Sequence, residues 1–327
     1  MPPARHLPGK LSAGPSITQV GWLSNWWLVA NDHLCYTTPV ADLIVPGEWT
    51  RLGVEDLRGT VMVIGASDTG KSTLARYLFQ ELCRRGLCTA YLDADVGQSS
   101  LGVPTTLNLA LAAGPGDDRF PPCGPQASYF VGSTTPRGHM LPTVVGAHRL
   151  QQRALAGGAQ ATVVDTTGLV DQAQGGKALK QWKIELLAPS VVIGLQRGRE
   201  LEPILWPLRR DSRVRSIELP VSPHAVERAR EVRIARRRER LARYFEPARR
   251  HAVSLKQFAV YDVDRLAQGA LLAFQDAEGF TLDLGAVEDL DRLGGTFVAR
   301  SPLPGLQGVA SVRFGTARWD LAQQLEL

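Results

Sequence analysis

The segment GASDTGKS, Gly65 to Ser72, restricts the possible folds of this chain more than any other feature. Its spacing, G-x-x-x-x-G-K-[ST], is that of a loop whose backbone N–H groups wrap phosphate. Such a loop works between a buried strand and a helix N-terminus, where the helix dipole favours an anion. Both flanks have the required character. TVMVIG (60–65) is a short apolar run rich in β-branched residues and reads as a strand. STLARYLFQELCRRG (72–86) places Leu74, Leu78 and Leu82 at i, i+4 and i+8 and meets a stop at Gly86, so it reads as an amphipathic helix. The expected cradle for a nucleoside triphosphate is Gly65, Ala66, Ser67, Asp68, Thr69, Gly70, Lys71, Ser72 and Thr73. Lys71 would reach the β- and γ-phosphates, and the Ser72 hydroxyl would ligate Mg²⁺. The chain has six lysines, and Lys71 is the only one between Lys10 and Lys177, which makes a chance match rare.

CTAYLDAD (88–95), YFVGS (129–133), ATVVDTTG (161–168) and SVVIGL (190–195) read as further strands, separated by helical or loop stretches. This order predicts an α/β fold, a P-loop NTPase with a mostly parallel sheet flanked by helices. Beyond about residue 252 the texture changes. LLAFQDAEGFTLDLG, GGTFVARSP and VASVRFGTARW read as short strands with Gly turns, hence a small β-rich C-terminal domain. Residues 16–45 alternate apolar and polar side chains, with Trp22, Trp26 and Trp27 close together, and read as a small β-rich N-terminal segment. VPGEW (45–49) reads as a linker. The expected organisation is 1–52, 53–251 for the P-loop domain, and 252–327.

The 327 residues are 44% hydrophobic, which excludes a disordered chain. No apolar run approaches the length needed to cross a bilayer, and MPPARHLPGKLSAGP at the N-terminus lacks a signal core. Cys35, Cys83, Cys88 and Cys123 show no C-x-x-C spacing. These features predict a cytoplasmic protein with reduced thiols, no membrane association and no cysteine metal site. The net charge of +5 points to a polyanionic partner. Much of the positive charge sits in HAVERAREVRIARRRERLARYFEPARRH (224–251), a run that would ordinarily be a solvated helix face.

Three motifs narrow the chemistry. In YLDADVGQSSLGVP (91–104) a strand delivers Asp93 and Asp95 to its C-terminal end, where open α/β sheets place ligands. Alternation puts both on one side, with Ala94 opposite. One carboxylate there can hold Mg²⁺ or accept a hydroxyl proton, and Gln98 can position a substrate oxygen. Asp95 is the functional candidate, and Asp93 either shares that role or caps the following turn. VVDTTG (163–168) is a buried strand ending in Asp165, a metal-shell candidate and a rival base, followed by a Gly that permits close backbone approach to a γ-phosphate. GSTTPRGH (132–139) offers Thr134, Thr135 and Arg137 to a phosphate, or forms a plain surface turn.

In this order, with an arginine-rich helix ending in RYF and a small β-domain after it, the motifs resemble those of the polynucleotide 5′-hydroxyl kinase family of RNA processing, in its shorter archaeal and bacterial form. The resemblance covers about residues 45 to 320. It implies ATP and Mg²⁺ as cofactors and, as partner, a nucleic acid with a 5′-hydroxyl end, RNA or DNA. It implies Asp95 as general base near the metal, alongside Ser72 and Asp165. Gln98, Thr134, Thr135 and Arg137 would hold the terminal nucleotide. The basic segment at about 222–250 would be a lid, and Arg233, Arg237 and Arg240 would join Lys71 around the transferring phosphoryl group. Their i, i+4, i+7 spacing turns all three the same way. One position departs: where several family members carry Trp after the T-x-G glycine, this chain has Leu169. No protein partner is indicated.

Other classes share parts of the pattern. A regulatory GTPase or metallochaperone NTPase would carry N-K-x-D after a late strand, but SVVIGL is followed by QRGRE. A non-catalytic ATP-binding adaptor would have a damaged site, whereas Lys71, Ser72, Asp95 and the arginines are all present.

Overall fold

Alternation along one interior strand sets the layering. The computed structural model describes residues 45–326, and β1 (Gly59–Gly65) is an interior strand of its first sheet. Val61 and Val63 enter one core, and Met62 and Ile64 enter the other, on the opposite face. A strand buried on both faces must read as a continuous apolar run, as TVMVIG does.

The other strands of this sheet are β2 (Thr89–Ala94), β3 (Thr106–Leu111), β4 (Gln126–Phe130), β5 (Ala161–Thr166), β6 (Val191–Gln196) and β7 (Arg215–Pro220), in the order β4-β3-β2-β5-β1-β6-β7. β2, β5, β1, β6 and β7 pair in parallel. β3 runs antiparallel to both neighbours, so loops rather than crossover helices join β2 to β3 and β3 to β4. Five of these strands match the sequence pattern, and β3 and β7 lie outside it. TLNLAL carries little β-branching, and β7 is a mostly polar edge strand.

Helix α1 (Lys71–Arg84) covers one face, burying Leu74, Leu78 and Leu82 with the expected period. Helices α2 (Met140–Ala156), α3 (Gly176–Leu187) and α4 (Glu202–Leu208) cover the other. The VPGEW segment is not a linker. It leads into a short 3₁₀ turn at Trp49–Arg51 that buries Trp49 in the α1-side core, 5.8 Å from the ring of Tyr77. An indole of that size burying its apolar surface contributes about 2 kcal/mol or more, which outweighs the turn propensity of Pro-Gly. The expected N-terminal strands around Trp22, Trp26 and Trp27 lie outside the described residues. Cys83, Cys88 and Cys123 are free thiols. Among the described residues no helix is long and apolar enough to cross a membrane.

After β7, helix α5 (Arg230–Phe245) leads into a second sheet. Its strands are β8 (Arg249–Ser254), β9 (Ala259–Tyr261), β10 (Ala270–Gln275), β11 (Thr281–Asp291), β12 (Thr296–Ser301), β13 (Ser311–Asp320) and β14 (Leu325–Glu326). The order is β14-β13-β10-β11-β12-β8, with β9 parallel to β13 and the remaining pairs antiparallel. Leu241, Tyr244 and Phe245 of α5 pack with Leu271, Ala273, Leu284 and Trp319 of this sheet. The sheet also backs the loop after β4: Thr316 and Ala317 donate backbone N–H groups to Gly132 O at 2.8 and 3.0 Å.

Candidate active site

The carboxyl ends of β1, β2, β5 and β6 converge on the P-loop, the position at which open α/β sheets bind ligands. Lys71 opens α1 and folds its ammonium back to Ala66 O at 2.5 Å, while Thr69 Oγ1 donates to the same carbonyl at 3.0 Å. Burial lowers the Lys71 pKa, against the opposing charges of Asp165, Asp95 and Asp68. The ammonium is therefore held near three carboxylates.

Asp93 and Asp165 stand opposite one another in the β2·β5 register. Both are buried. Asp93 is used locally. Its Oδ2 accepts from Ser99 Oγ at 2.6 Å, from Ser100 N and from Leu101 N at 3.0 Å, and so it caps the turn after β2. Asp95, two residues on, is half-buried, and its Oδ1 accepts from the N–H groups of Gly97 and Gln98 at 2.9 and 3.1 Å. Asp165 differs from both. Tyr91 Oη donates to its Oδ2 at 3.3 Å, but its buried Oδ1 has no hydrogen-bond partner. Burial lifts the Asp165 carboxyl to about 7, with Asp93 adding to the rise and Ser72 and Lys71 opposing it. An orphaned buried carboxylate oxygen beside a P-loop hydroxyl fits a hard cation that takes oxygen ligands and keeps several waters. Ser72, Asp165 and Asp95 are the residues that would hold Mg²⁺. Among the described residues no group of three or more His, Cys, Asp or Glu side chains is arranged to hold a metal ion.

Two glycines explain how the loops approach each other. A Cβ on Gly97 would lie 2.7 Å from Thr134 O, so the D-V-G-Q turn rests on the 132–139 loop. A Cβ on Gly168 would lie 2.7 Å from Ser67 N and 2.8 Å from Ser67 Cα. The close approach at the T-x-G glycine is thus to the backbone of the P-loop. In the 132–139 loop, Thr135 N donates to Ser133 Oγ at 3.2 Å, and Arg137 bonds Gln174 Oε1 from an exposed position. Leu169 is half-buried next to Gly168.

Helix α5 lies across these loops. Arg233, Arg237 and Arg240 are half-buried, whereas Arg230, Arg236, Arg238 and Arg243 are exposed. Arg233 pairs with Asp68 of the P-loop at 2.8 Å, and its backbone carbonyl accepts from Gln98 Nε2 at 3.3 Å. Arg240 donates to the backbone carbonyls of Ser99 and Gly102, the latter at 3.2 Å. Arg233 and Arg240 therefore hold the helix on the P-loop and on the turn after β2. Gln98 faces the helix backbone.

Three more basic residues belong to this site although no sequence motif marks them. Arg197, just after β6, donates to Ser67 O at 3.4 Å and to Asp68 O at 2.9 Å. Its position at the carboxyl end of a strand beside β1 is the signal that could have found it. Lys180 and Lys183 of α3 are fully buried. Lys180 Nζ donates to Thr166 Oγ1 at 2.7 Å and Thr167 O at 2.5 Å, and Lys183 Nζ to Ala94 O at 3.4 Å.

The chain is similar to known proteins. The chain is 37% identical over 203 residues to a polyribonucleotide 5′-hydroxyl-kinase of Pyrococcus furiosus, covering 61% of this chain and 54% of that protein. It is 32% identical over 206 residues to human polyribonucleotide 5′-hydroxyl-kinase Clp1, covering 58% and 46% respectively. The chain thus spans about half the length of the curated relatives it matches. The wild-type Clp1p structure solved in complex with Pcf11p shares the fold, with a TM-score of 0.60 at 14% identity over 83% of this chain and 76% of that one. Residues 65–247, more than half of the chain, match the family described as mRNA cleavage and polyadenylation factor CLP1 P-loop. The match runs from the first glycine of the phosphate loop to the end of the arginine helix, and the chain belongs to this family.

Proposed function

We propose that the protein is an ATP-dependent polynucleotide 5′-hydroxyl kinase that acts on the 5′-hydroxyl end of RNA and/or DNA. The observation that carries this reading is the seating of α5: a half-buried row of arginines over a P-loop, tied to it through Arg233 and Asp68. A nucleotide switch works with a single arginine finger, whereas a row of arginines suits transfer of a γ-phosphoryl group to an anionic acceptor, where more negative charge must be offset. The names of the relatives point the same way.

In this mechanism the P-loop N–H groups and Lys71 bind the triphosphate. Lys71 leaves Ala66 O and takes up the β- and γ-oxygens. Ser72, Asp165 and Asp95 would hold Mg²⁺, which when bound would neutralise phosphate charge. The 132–139 loop, through Thr134, Thr135 and Arg137, together with Gln98, holds the terminal nucleotide. Asp95 accepts the proton of the 5′-hydroxyl as its oxygen bonds to the γ-phosphorus and the bond to the β-phosphate oxygen breaks. The products are a 5′-phosphate end and ADP. Arg237, with Arg233 once it exchanges Asp68 for phosphate, stabilises the charge in flight, and the seated helix keeps water out.

The test is transfer of label from γ-labelled ATP to matched 5′-hydroxyl RNA and DNA oligonucleotides. Label on the 5′ end is expected. Lys71→Ala and Asp95→Asn should each lower the rate at least about 100-fold, the range of a lost acid–base or charge contact. Nucleotide hydrolysis without transfer, or full activity in either variant, refutes the assignment.

A further inference from the structure

Helix α3 buries two lysines alongside the apolar Leu179, Ile184 and Leu187. Its Lys180 and Lys183 are fully buried, while Trp182 is 66% exposed and Leu186 faces solvent beside them. Burying a lysine costs far more than burying an indole, so packing alone would choose the opposite arrangement. The chain also uses lysine sparingly: six of its 37 basic side chains are lysine, and Lys71, Lys180 and Lys183 all lie buried at one end of the sheet. An ammonium offers three donors on a flexible stem, which suits scattered carbonyl and hydroxyl acceptors better than the planar fork of arginine.

The acceptors are specific. Ala94 and Thr166 are register partners, the last pair of the β2·β5 ladder. Lys183 reaches Ala94 O and Lys180 reaches Thr166 Oγ1 and Thr167 O. Thr166 Oγ1 in turn donates to Val63 O of β1 at 2.7 Å. One step away in the same two strands stand Asp93 and Asp165, and Asp95 follows Ala94 directly. We propose that Lys180 and Lys183 are positioning residues for phosphoryl transfer, a buried two-lysine clamp that fixes the carboxyl ends of β1, β2 and β5 and so sets where Asp95 and Asp165 stand. The clamp acts from the face opposite α1 and touches no reacting atom. Charge acts differently on the two: Asp95 and Asp165 favour the charged form of Lys183, against a burial that lowers it to about 8, whereas burial and then the neighbouring Lys183 and Lys71 push the Lys180 pKa well down.

The kinetic arm of the test rests on the kinase reading. Lys180→Met and Lys183→Met keep the stem and remove the amino group, and Lys180→Gln and Lys183→Gln keep an N–H donor without charge. Folded Met variants are expected to lose about 100-fold in kcat, as for a small misplacement of reacting groups. KM for ATP should stay unchanged, with partial recovery in the Gln variants. Amide hydrogen exchange without nucleotide should speed up over residues 93–101 and 163–168 while the rest of the chain keeps its protection. A merely structural lysine would instead lower the melting temperature and leave kcat intact, and that result overturns the clamp while the kinase reading stands. If the parent transfers no phosphate, the kinase reading falls and hydrogen exchange alone decides: faster local exchange upholds the clamp, unchanged exchange overturns it. Should a Met variant not fold, the matching Gln variant carries the same comparisons.

Discussion

The Asp165 side chain shows what a buried carboxyl at a candidate metal site costs the resting protein. Its carboxyl moves from an ordinary value of 3.8 to about 7, chiefly because it is buried and next because Asp93 stands opposite it. Between those two values the unfolded chain has released the proton and the folded chain still holds it. The folded state thus binds more protons, and this group makes stability fall as pH rises from about 4 to about 7. Asp165→Asn removes that slope. In the absence of nucleotide and Mg²⁺ the variant should gain on the parent by on the order of 1 kcal/mol or more between pH 5 and pH 8, since a tenfold difference in proton affinity between the two states is worth about 1.4 kcal/mol. Urea unfolding at the two pH values measures this, and an equal difference at both would show that Asp165 does not carry the burial penalty. The residue is legible in the sequence as a strand-end Asp. Its orphaned Oδ1 is not, because that depends on which donors the neighbouring loops bring near it.

At the scale of elements, α5 is a helix with two kinds of anchor. Its C-terminal end is built into the second sheet: Leu241, Tyr244 and Phe245 are buried, and Leu284 N donates to Tyr244 Oη at 2.8 Å. Its N-terminal half rests on the P-loop through Arg233 and Asp68. A partly exposed ion pair of this kind contributes about 1 kcal/mol or less. Asp68→Asn should therefore leave global stability within about 1 kcal/mol of the parent yet free the first turns of α5. Trypsin should then cut between residues 228 and 238 several-fold faster, and unchanged cleavage would mean that other contacts hold that half down. The spacing of Arg233, Arg237 and Arg240 is readable because helical period alone turns them one way. What each guanidinium touches is not, because Ser99, Gly102 and Asp68 lie far away in the chain. The buried lysines of α3 are not readable either, because the carbonyls that hold them stand at the ends of β2 and β5. β3 and β7 lack a strong local signal, and pairing with neighbours, not propensity, makes them strands.

At the scale of the molecule, the second sheet is a brace for the 132–139 loop. Gly132, at the start of the 132–139 loop, and Gly315, in β13, meet backbone to backbone: a Cβ on Gly315 would lie 2.6 Å from Gly132 O and 2.7 Å from Gly132 Cα. The contact is reinforced by the Thr316 and Ala317 N–H groups on Gly132 O, and Thr316 Oγ1 sits 3.0 Å from His139 Nε2 at the far end of the same loop. A second contact lies further along, where Arg153 pairs with Glu278 at 2.8 Å and stacks over Phe280, itself part of the main-sheet core. Both ends of the 132–139 loop thus depend on β13, while the P-loop depends on β1 and α1. Gly315→Val separates the two. The added side chain must push β13 away from Gly132, and Thr134, Thr135 and Arg137 should move with the loop. Affinity for a 5′-hydroxyl oligonucleotide is expected to fall about tenfold or more, the worth of one or two charge-assisted contacts. ATP affinity should hold, because no P-loop contact passes through β13. Fluorescence anisotropy with a labelled oligonucleotide and titration with a fluorescent ATP analogue measure the two separately. If both affinities fall together, the sheet supports the whole domain rather than the loop. If neither falls, the loop does not bind the nucleic acid, and the terminal nucleotide must be held by Gln98 and the arginines of α5.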